Sequence, residues 1–406
     1  MTLIRPIPAC LPSPDLAADV ATPPLGGLTV SDWLSMLEGN PNSFVHVIRT
    51  GIDTAEGGPG DVAASASGRR RLDEMIAAGV VSEPQEPAFY VYQIESRGVS
   101  AAAVVGEVSV DAYGDGRIRR HEETRTPTED LLARHLVTVG AHTDPVSLTY
   151  HADREIDRLL GEVRESVPLL DFVTGDGTRQ RVWRVDAARQ GALQDRLDRV
   201  GTLYITDGHH RLAAAARYAL WRQADGAESG PDPSHSYVLA ALFSDADLSV
   251  FEFNRSVAGV EEGAVALVER LRPTLTVGDL DPDADPRPEQ RGSIGMIGAG
   301  RQWTIAIPAS LIPEDTYGAL DVVLLQDLVL GPHLGIADPR TDPRLRYITG
   351  PAVPDPRAHG CDVCFLLYPT EVADVLDVAD AGLVMPPKST WFEPKVWGGV
   401  FIRLLD

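Results

Sequence analysis

The sequence predicts an α/β protein, α+β in detail, built on a mixed sheet. Three observations carry that expectation. Residues 89–94 and 101–110 alternate like two strands around a turn at Arg97 and Gly98. Residues 126–140 read as one bounded amphipathic helix. Residues 203–222 read as a short apolar strand, a polar junction and an Ala-rich helix.

Along the chain, Pro6, Pro8, Pro12, Pro14, Pro23 and Pro24 mark an extended, turn-rich lead-in. Ser31 is placed to N-cap a short helix carrying Trp33, Leu34 and Leu37 and ended by Gly39. Residues 44–48 follow as a strand, 56–67 as a Gly- and Ala-rich loop, and 69–78 as a helix stopped at Gly79. After the 89–110 hairpin comes a tight turn at residues 113–116, then the polar stretch 117–125. Thr126 is expected to cap the next helix, with Pro127 first inside it and Glu129 completing a capping box. Leu132, Leu136 and Val139 form its apolar face and Gly140 its stop.

Residues 182–185 read as a strand, 187–200 as a helix with Leu193 and Leu197 on one face, and 203–206 as a strand. The junction 207–211 leads into a helix over 212–222. A Gly/Pro/Asp loop at 223–236 and a strand at 237–243 follow. Composition then shifts near Ala258, and a boundary near 256 divides a core over 1–255 from a C-terminal α/β region over 256–406. In that region 279–290 reads as a solvated loop, 302–307 and 363–367 as strands, and 319–330 and 370–379 as helices.

Composition excludes several functions. The 406 residues are 44% hydrophobic and 23% charged, enough to bury a sizeable core. The net charge of −23 repels phosphate backbones and argues against a nucleic-acid partner. Three cysteines cannot build a disulfide framework, and no apolar run of about 18 residues exists to span a membrane. A soluble cytoplasmic protein is expected.

The junction Asp207-Gly208-His209-His210-Arg211 carries the chemistry. A helix beginning here leaves N–H groups of its first turn unpaired, and with the macrodipole they favour an anion, phosphate above all. Gly208 admits close approach to the backbone, and His209, His210 and Arg211 add donors. Asp207 repels an anion by itself and makes sense as a holder of a divalent metal that bridges to phosphate. A His pair at a helix start also serves as a polar cluster that bonds backbone, and spacing alone admits both readings. Zinc is disfavoured, because adjacent histidines at such a junction diverge.

A second signal is His121-Glu122-Glu123 beside Arg119, Arg120 and Arg125. An ionised Glu122 there is either a base for a hydroxyl or part of a solvated charge run. A third is residues 385–395, rigid and aromatic with Lys388 and Lys395, either an anion-recognising segment or a strand packing Trp391 and Phe392. Cys361 and Cys364 resemble half a zinc site, but i and i+3 on a strand face opposite sides, so both read as core residues. Gly106, Gly114 and Gly116 lack the spacing of a dinucleotide fingerprint.

At Asp207–Arg211 the sequence resembles the bacterial domain-of-unknown-function proteins with a D-G-H-H-R motif, relatives of the archaeal free-serine kinases in the ParB/sulfiredoxin superfamily. Residues 42–49, 120–124, 338–342 and 385–395 resemble further blocks of that family in the same order. The resemblance implies a ParB/sulfiredoxin-like nucleotide-binding core, with the C-terminal region completing a cleft. It implies phosphoryl transfer from ATP or ADP with magnesium to a small hydroxyl substrate, free L-serine foremost. Carried over, Glu122 is the base, Asp207 holds the metal, and Gly208, His209, His210 and Arg211 hold the phosphates. Pro387, Lys388, Ser389 and Thr390 match the segment that holds the serine. Pro23-Pro24-Leu25-Gly26 lacks the polar pair of the family's early block, and Trp391 and Phe392 replace a His-containing continuation. Sulfiredoxins carry Cys where His209 stands, so their reductase chemistry is not implied. A nucleotide hydrolase or switch, and a non-catalytic regulatory protein, are the rival readings.

Overall fold

The computed structural model describes residues 2–24, 30–48, 62–226, 233–350 and 352–405. Two compact units emerge. The first comprises Met1–Leu248 and returns with Pro394–Asp406, and the second is Ser249–Glu393.

The first unit is organised by a nine-stranded mixed sheet. Its path runs Ile118–Arg119, Leu203–Asp207, Val146–Tyr150, Tyr237–Ser244, Val99–Ser109, Tyr90–Ser96, Arg179–Arg184 and Leu170–Val173, with Ile4–Arg5 on the long Val99–Ser109 strand. Two pairings are parallel, Ile118–Arg119 with Leu203–Asp207 and Val146–Tyr150 with Tyr237–Ser244. The hairpin turn at Arg97 and Gly98 takes positive φ at both residues, the geometry that follows strand twist. Gly106 is required where Ile4–Arg5 crosses, since a Cβ there would lie 2.7 Å from the Arg5 carbonyl oxygen. Helices Thr126–Val139, Arg154–Arg164, Ala187–Leu197 and His209–Ala224 accompany this sheet. Ile156, Leu160, Leu193, Leu212 and Ala215 enter one buried cluster with Leu148, Ile205 and Leu242 of the strands.

The returning C-terminal tail is sewn into this unit. Arg403–Leu404 pairs with Ala141–His142, and Cys10 and Thr22 bridge to Ile402 and Gly398. Arg403 also joins Arg5 on the buried Glu107 carboxylate. An unpaired buried charge costs several kcal/mol, so this triad fixes the tail.

The second unit is a six-stranded antiparallel sheet in the order Thr276–Leu280, Arg301–Ala306, Ser293–Gly298, Val363–Leu367, Phe253–Val257, Leu345–Thr349. Helices Gly263–Leu271 and Val372–Asp380 bury Leu267, Leu271, Val375 and Leu376. The second carries a full capping box between Glu371 and Asp374.

Several local expectations are corrected. Residues 45–48 form a short helix, not a strand, and bury Val45 and Val47. Val62–Ala77 is one helix, so the expected loop ends by 62, because Ala63, Ala64 and Ala66 are good helix formers; residues 56–61 lie outside the described residues. Ser31 stands inside the helix Val30–Leu37, where its carbonyl accepts from Ser35. Arg125 takes the cap position before Thr126, and the Thr124 hydroxyl donates to Glu129, so the expected capping box does not form. Asp279 belongs to a strand and not to the solvated loop after it. The 319–330 helix turns into a π-helical stretch at Gln326–Leu330. Part of the expected 223–236 loop, residues 227–232, lies outside the described residues. The strand Val146–Tyr150, buried at every position, and the Asp153-capped helix after it have no counterpart in the sequence reading.

Ile205 is fully buried in the strand that leads to the junction. Ile205→Ala is expected to destabilise the first unit by about 2–5 kcal/mol, read as a lower urea midpoint.

Candidate functional site

The junction is shorter than its sequence suggests. The strand Leu203–Asp207 and the helix His209–Ala224 are separated by Gly208 alone, at φ +91°. That left-handed residue turns the chain from strand to helix in one step. A β-bulge precedes it: Asp207 faces Ser147 and Ile205 faces Leu148, which leaves Thr206 as the extra residue. The Thr206 hydroxyl closes onto Ser147 at 2.8 Å. Bulges re-aim side chains beside sites, and here the following side chain is Asp207.

Asp207 is shared between two cations. Arg211, one helical turn on, donates to Oδ2 at 2.8 Å, and Lys395 of the returning tail donates to Oδ1 at 3.1 Å. Burial pushes the Asp207 pKa up, but Lys395 and Arg211 override it and hold the carboxyl well below the usual carboxylate range. The carboxylate is therefore ionised.

His121 and Glu122 converge on the same junction. The His121 and His209 rings meet edge to face, centroids 4.6 Å apart at 90°. Glu122 Oε2 lies 3.8 Å from His209 Nδ1, and Glu122 is part-exposed while His209 is buried. Arg217, midway along its helix, pairs with Glu129 and Asp130 at the start of the helix Thr126–Val139 and ties the two helices together. Desolvation pushes the His121 pKa down to about 4; Lys395 adds to the fall, while a bond to the Ile205 carbonyl and Asp207 oppose it. Desolvation, then His121, holds His209 well below its ordinary value as well. Both rings are neutral near pH 7, so each carries one N–H and one lone pair.

Three polar atoms at this helix start are buried and have no partner: His209 Nε2, His210 Nδ1 and Arg211 Nε. Buried polar atoms are seldom left so, and these sit where first-turn N–H groups also point outward. Together with Gly208 they fit the oxygens of a phosphate. For a divalent metal the junction offers the Asp207 carboxylate, with the Glu122 carboxylate beside His209. Among the described residues no group of three His, Cys, Asp or Glu side chains is placed to hold a metal. Both Asp207 oxygens already accept from Arg211 and Lys395, so a divalent ion beside it would have to be held chiefly by phosphate and water.

Of the residues singled out from sequence, Glu122, Asp207, Gly208, His209, His210 and Arg211 meet at this junction. Lys388, Ser389 and Thr390 belong to the second unit. There Lys388 has φ +53° and its ammonium sits 5.6 Å over the Phe253 ring. Ser389 is buried and donates to the Pro386 carbonyl at 2.6 Å. Phe392 is buried in the short strand Trp391–Glu393. Sequence reasoning missed His121 as a packing partner and Lys395 as the second cation on Asp207. A Lys just beyond a proline-stiffened strand was the available signal for the latter.

Among the described residues no helix is long and apolar enough to cross a membrane. A family model described as a protein of unknown function (DUF1015) matches residues 4–323, and the chain belongs to that family. No curated protein matches its sequence. Solved structures similar to it include a free serine kinase in complex with AMP, 17% identical, with 70% of this chain and 86% of that chain covered and a TM-score of 0.34. A conserved hypothetical protein from Pyrococcus furiosus is 14% identical, with 70% and 89% covered and a TM-score of 0.32. SbnI with a C-terminal truncation, from Staphylococcus aureus, is 13% identical, with 71% and 82% covered and a TM-score of 0.37.

Because the folded chain keeps His121 neutral down to about pH 4, the unfolded chain binds the extra proton first as pH falls. Stability is complete above the ordinary histidine range and is lost as pH falls from about 6.5 to 4, by up to about 3 kcal/mol. Urea midpoints across that window should fall, and His121→Gln should flatten part of the slope; an unchanged slope rejects His121 as a source.

Proposed function

We propose that this member of the DUF1015 family is a nucleotide-dependent kinase that phosphorylates the hydroxyl of a small substrate, with free L-serine the first candidate. The observation that carries the reading is the meeting of Glu122 with three unpartnered polar nitrogens, one of them the Arg211 Nε donor, at one helix start. A cradle of donors and a carboxylate base are what phosphoryl transfer asks of a protein, since the step depends on positioning and charge stabilisation. The ordered motifs of the sequence support the same class.

In this reading the first-turn amides, His209, His210 and Arg211 bind the phosphates of ATP or ADP. Gly208 keeps the backbone open to them. Glu122 accepts the proton of the acceptor hydroxyl as its oxygen bonds to the terminal phosphorus and the bond to the nucleotide breaks. Its part-exposed position suits a group that must meet an incoming substrate. His121 packs against His209 and holds that ring's orientation. Magnesium, when bound, would neutralise phosphate charge beside Asp207. An acceptor-binding role for Lys388, Ser389 and Thr390 rests on the resemblance alone.

The test is a screen of ATP and ADP against hydroxyl-bearing amino acids, with phosphorylated product read by mass. Phosphoserine formation supports the proposal; nucleotide hydrolysis indifferent to added amino acid points to a hydrolase, and no turnover to a regulatory protein. Glu122→Gln should lower kcat by about 100-fold or more with nucleotide affinity within about threefold. Gly208→Ala places a Cβ 2.8 Å from the Arg211 guanidinium at a φ that disfavours side chains. It should cost about 1–3 kcal/mol of stability and weaken nucleotide binding in calorimetric titration.

A further inference from the structure

The second unit holds a feature that the phosphate cradle does not use. Cys361 and Cys364 were expected on opposite faces of a strand, but Cys361 precedes the strand Val363–Leu367 and folds back. Its Sγ lies 3.5 Å from the Cys364 Sγ. Cys361 closes the turn begun at Pro356, with its amide bonded to the Pro356 carbonyl at 3.0 Å and its thiol at 3.3 Å from the same oxygen. Cys364 is buried in the strand, opposite Ile297 on one side and Ser256 on the other.

The two thiols differ in access. Cys361 is part-exposed and lines a cavity of about 630 Å³ together with Ala264, Arg301, Asp355 and Arg357. Cys364 has no such access, and burial pushes its pKa up. A part-exposed thiol in contact with a buried one is an arrangement that suits an attacking and a resolving cysteine. Bond formation needs the sulfurs to close by about 1.5 Å, to the 2.05 Å of a disulfide. A loop closed between i and i+3 gains little from chain entropy, so such a bond is readily reduced.

We propose that Cys361 and Cys364 form a reversible dithiol–disulfide couple, with Cys361 as the attacking thiol, Cys364 as the resolving thiol and a low-molecular-weight disulfide as the oxidant. Cys361 gives its proton to solvent, and its Sγ bonds to one sulfur of the oxidant, whose S–S bond breaks to release one thiolate. That thiolate takes the Cys364 proton. Cys364 Sγ then bonds to Cys361 Sγ as the mixed disulfide breaks, and the second thiolate leaves and picks up a proton from solvent. Two electrons pass from the cysteine pair to the oxidant, which ends as two thiols. Oxidation ties the 356–361 turn, one wall of the cavity, to a central strand. The proposal stands apart from the kinase reading, and neither depends on the other.

Cys10 supplies an internal control, because it is buried in the first unit and burial pushes its pKa up to about 12. The test exposes the reduced full-length chain to oxidised glutathione, quenches, denatures and alkylates the remaining thiols for intact-mass and peptide analysis. Free thiols should fall from the three of the sequence to one, Cys10, with no retained glutathione and with the peptide bearing Cys361 and Cys364 two hydrogens lighter. Reductant should restore all three. Three alkylated thiols after oxidation, or glutathione persisting on Cys361, overturns the proposal. In Cys364→Ser, glutathione should persist on Cys361; an unmodified Cys361 in that variant overturns its role as the attacking thiol.

Discussion

Everything at the junction follows from keeping one ionised carboxylate, Asp207, in a place where burial opposes its charge. A buried charge persists only when paired and hydrogen-bonded. Arg211 and Lys395 supply the pairs on separate oxygens, and each imposes a demand on the chain. Arg211 can reach back only if the helix begins directly after the strand, which requires the left-handed Gly208. Lys395 can reach in only if the tail returns, which the Glu107–Arg403 pair and the strand partners of residues 398–404 secure. The motif and the C-terminus are thus coupled by one electrostatic requirement.

The same geometry leaves His209 and His210 in the first turn, where burial keeps His209 neutral. A neutral imidazole donates one hydrogen bond and adds no charge. Permanent charge comes from Arg211, and Nε of that side chain is the atom left unbonded while Nη2 holds Asp207. Division of labour within one guanidinium explains why Arg suits this position better than Lys, whose single ammonium could not serve both.

How much of this was legible in the sequence depends on whether the cause was local. The Arg97-Gly98 hairpin, the Gly140 stop and the strand-to-helix change around Gly208 rest on residues adjacent in the chain, and all were readable. Residues 44–48 were not, since five residues, four of them apolar, without a ladder partner have no period to distinguish strand from helix. Val146–Tyr150 is buried at every position, yet its sequence alternates, Val146, Leu148 and Tyr150 against Ser147 and Thr149, so this strand was readable and was overlooked. The pairing of Lys395 with Asp207, and of Cys361 with Cys364, depends on tertiary return or a backbone turn that composition does not announce. Glu122 was legible as a residue type beside a helix start, but its 3.8 Å approach to His209 was set by packing between two helices.

Charge accounting at the junction narrows what it can bind. Four charged side chains meet there, and Glu122 and Asp207 cancel Arg211 and Lys395. Around His210, Glu129 and Arg125 act with opposite sign. The four junction charges sum to zero within a chain of net charge −23. A polyphosphate that brought several negative charges unaccompanied would gain oriented N–H donors but no net Coulombic attraction, and the chain's own field would repel it. On the proposed reading, the favoured form of the donor is therefore a nucleotide that arrives already complexed to a divalent cation, which lowers its charge before the cradle has to accept it.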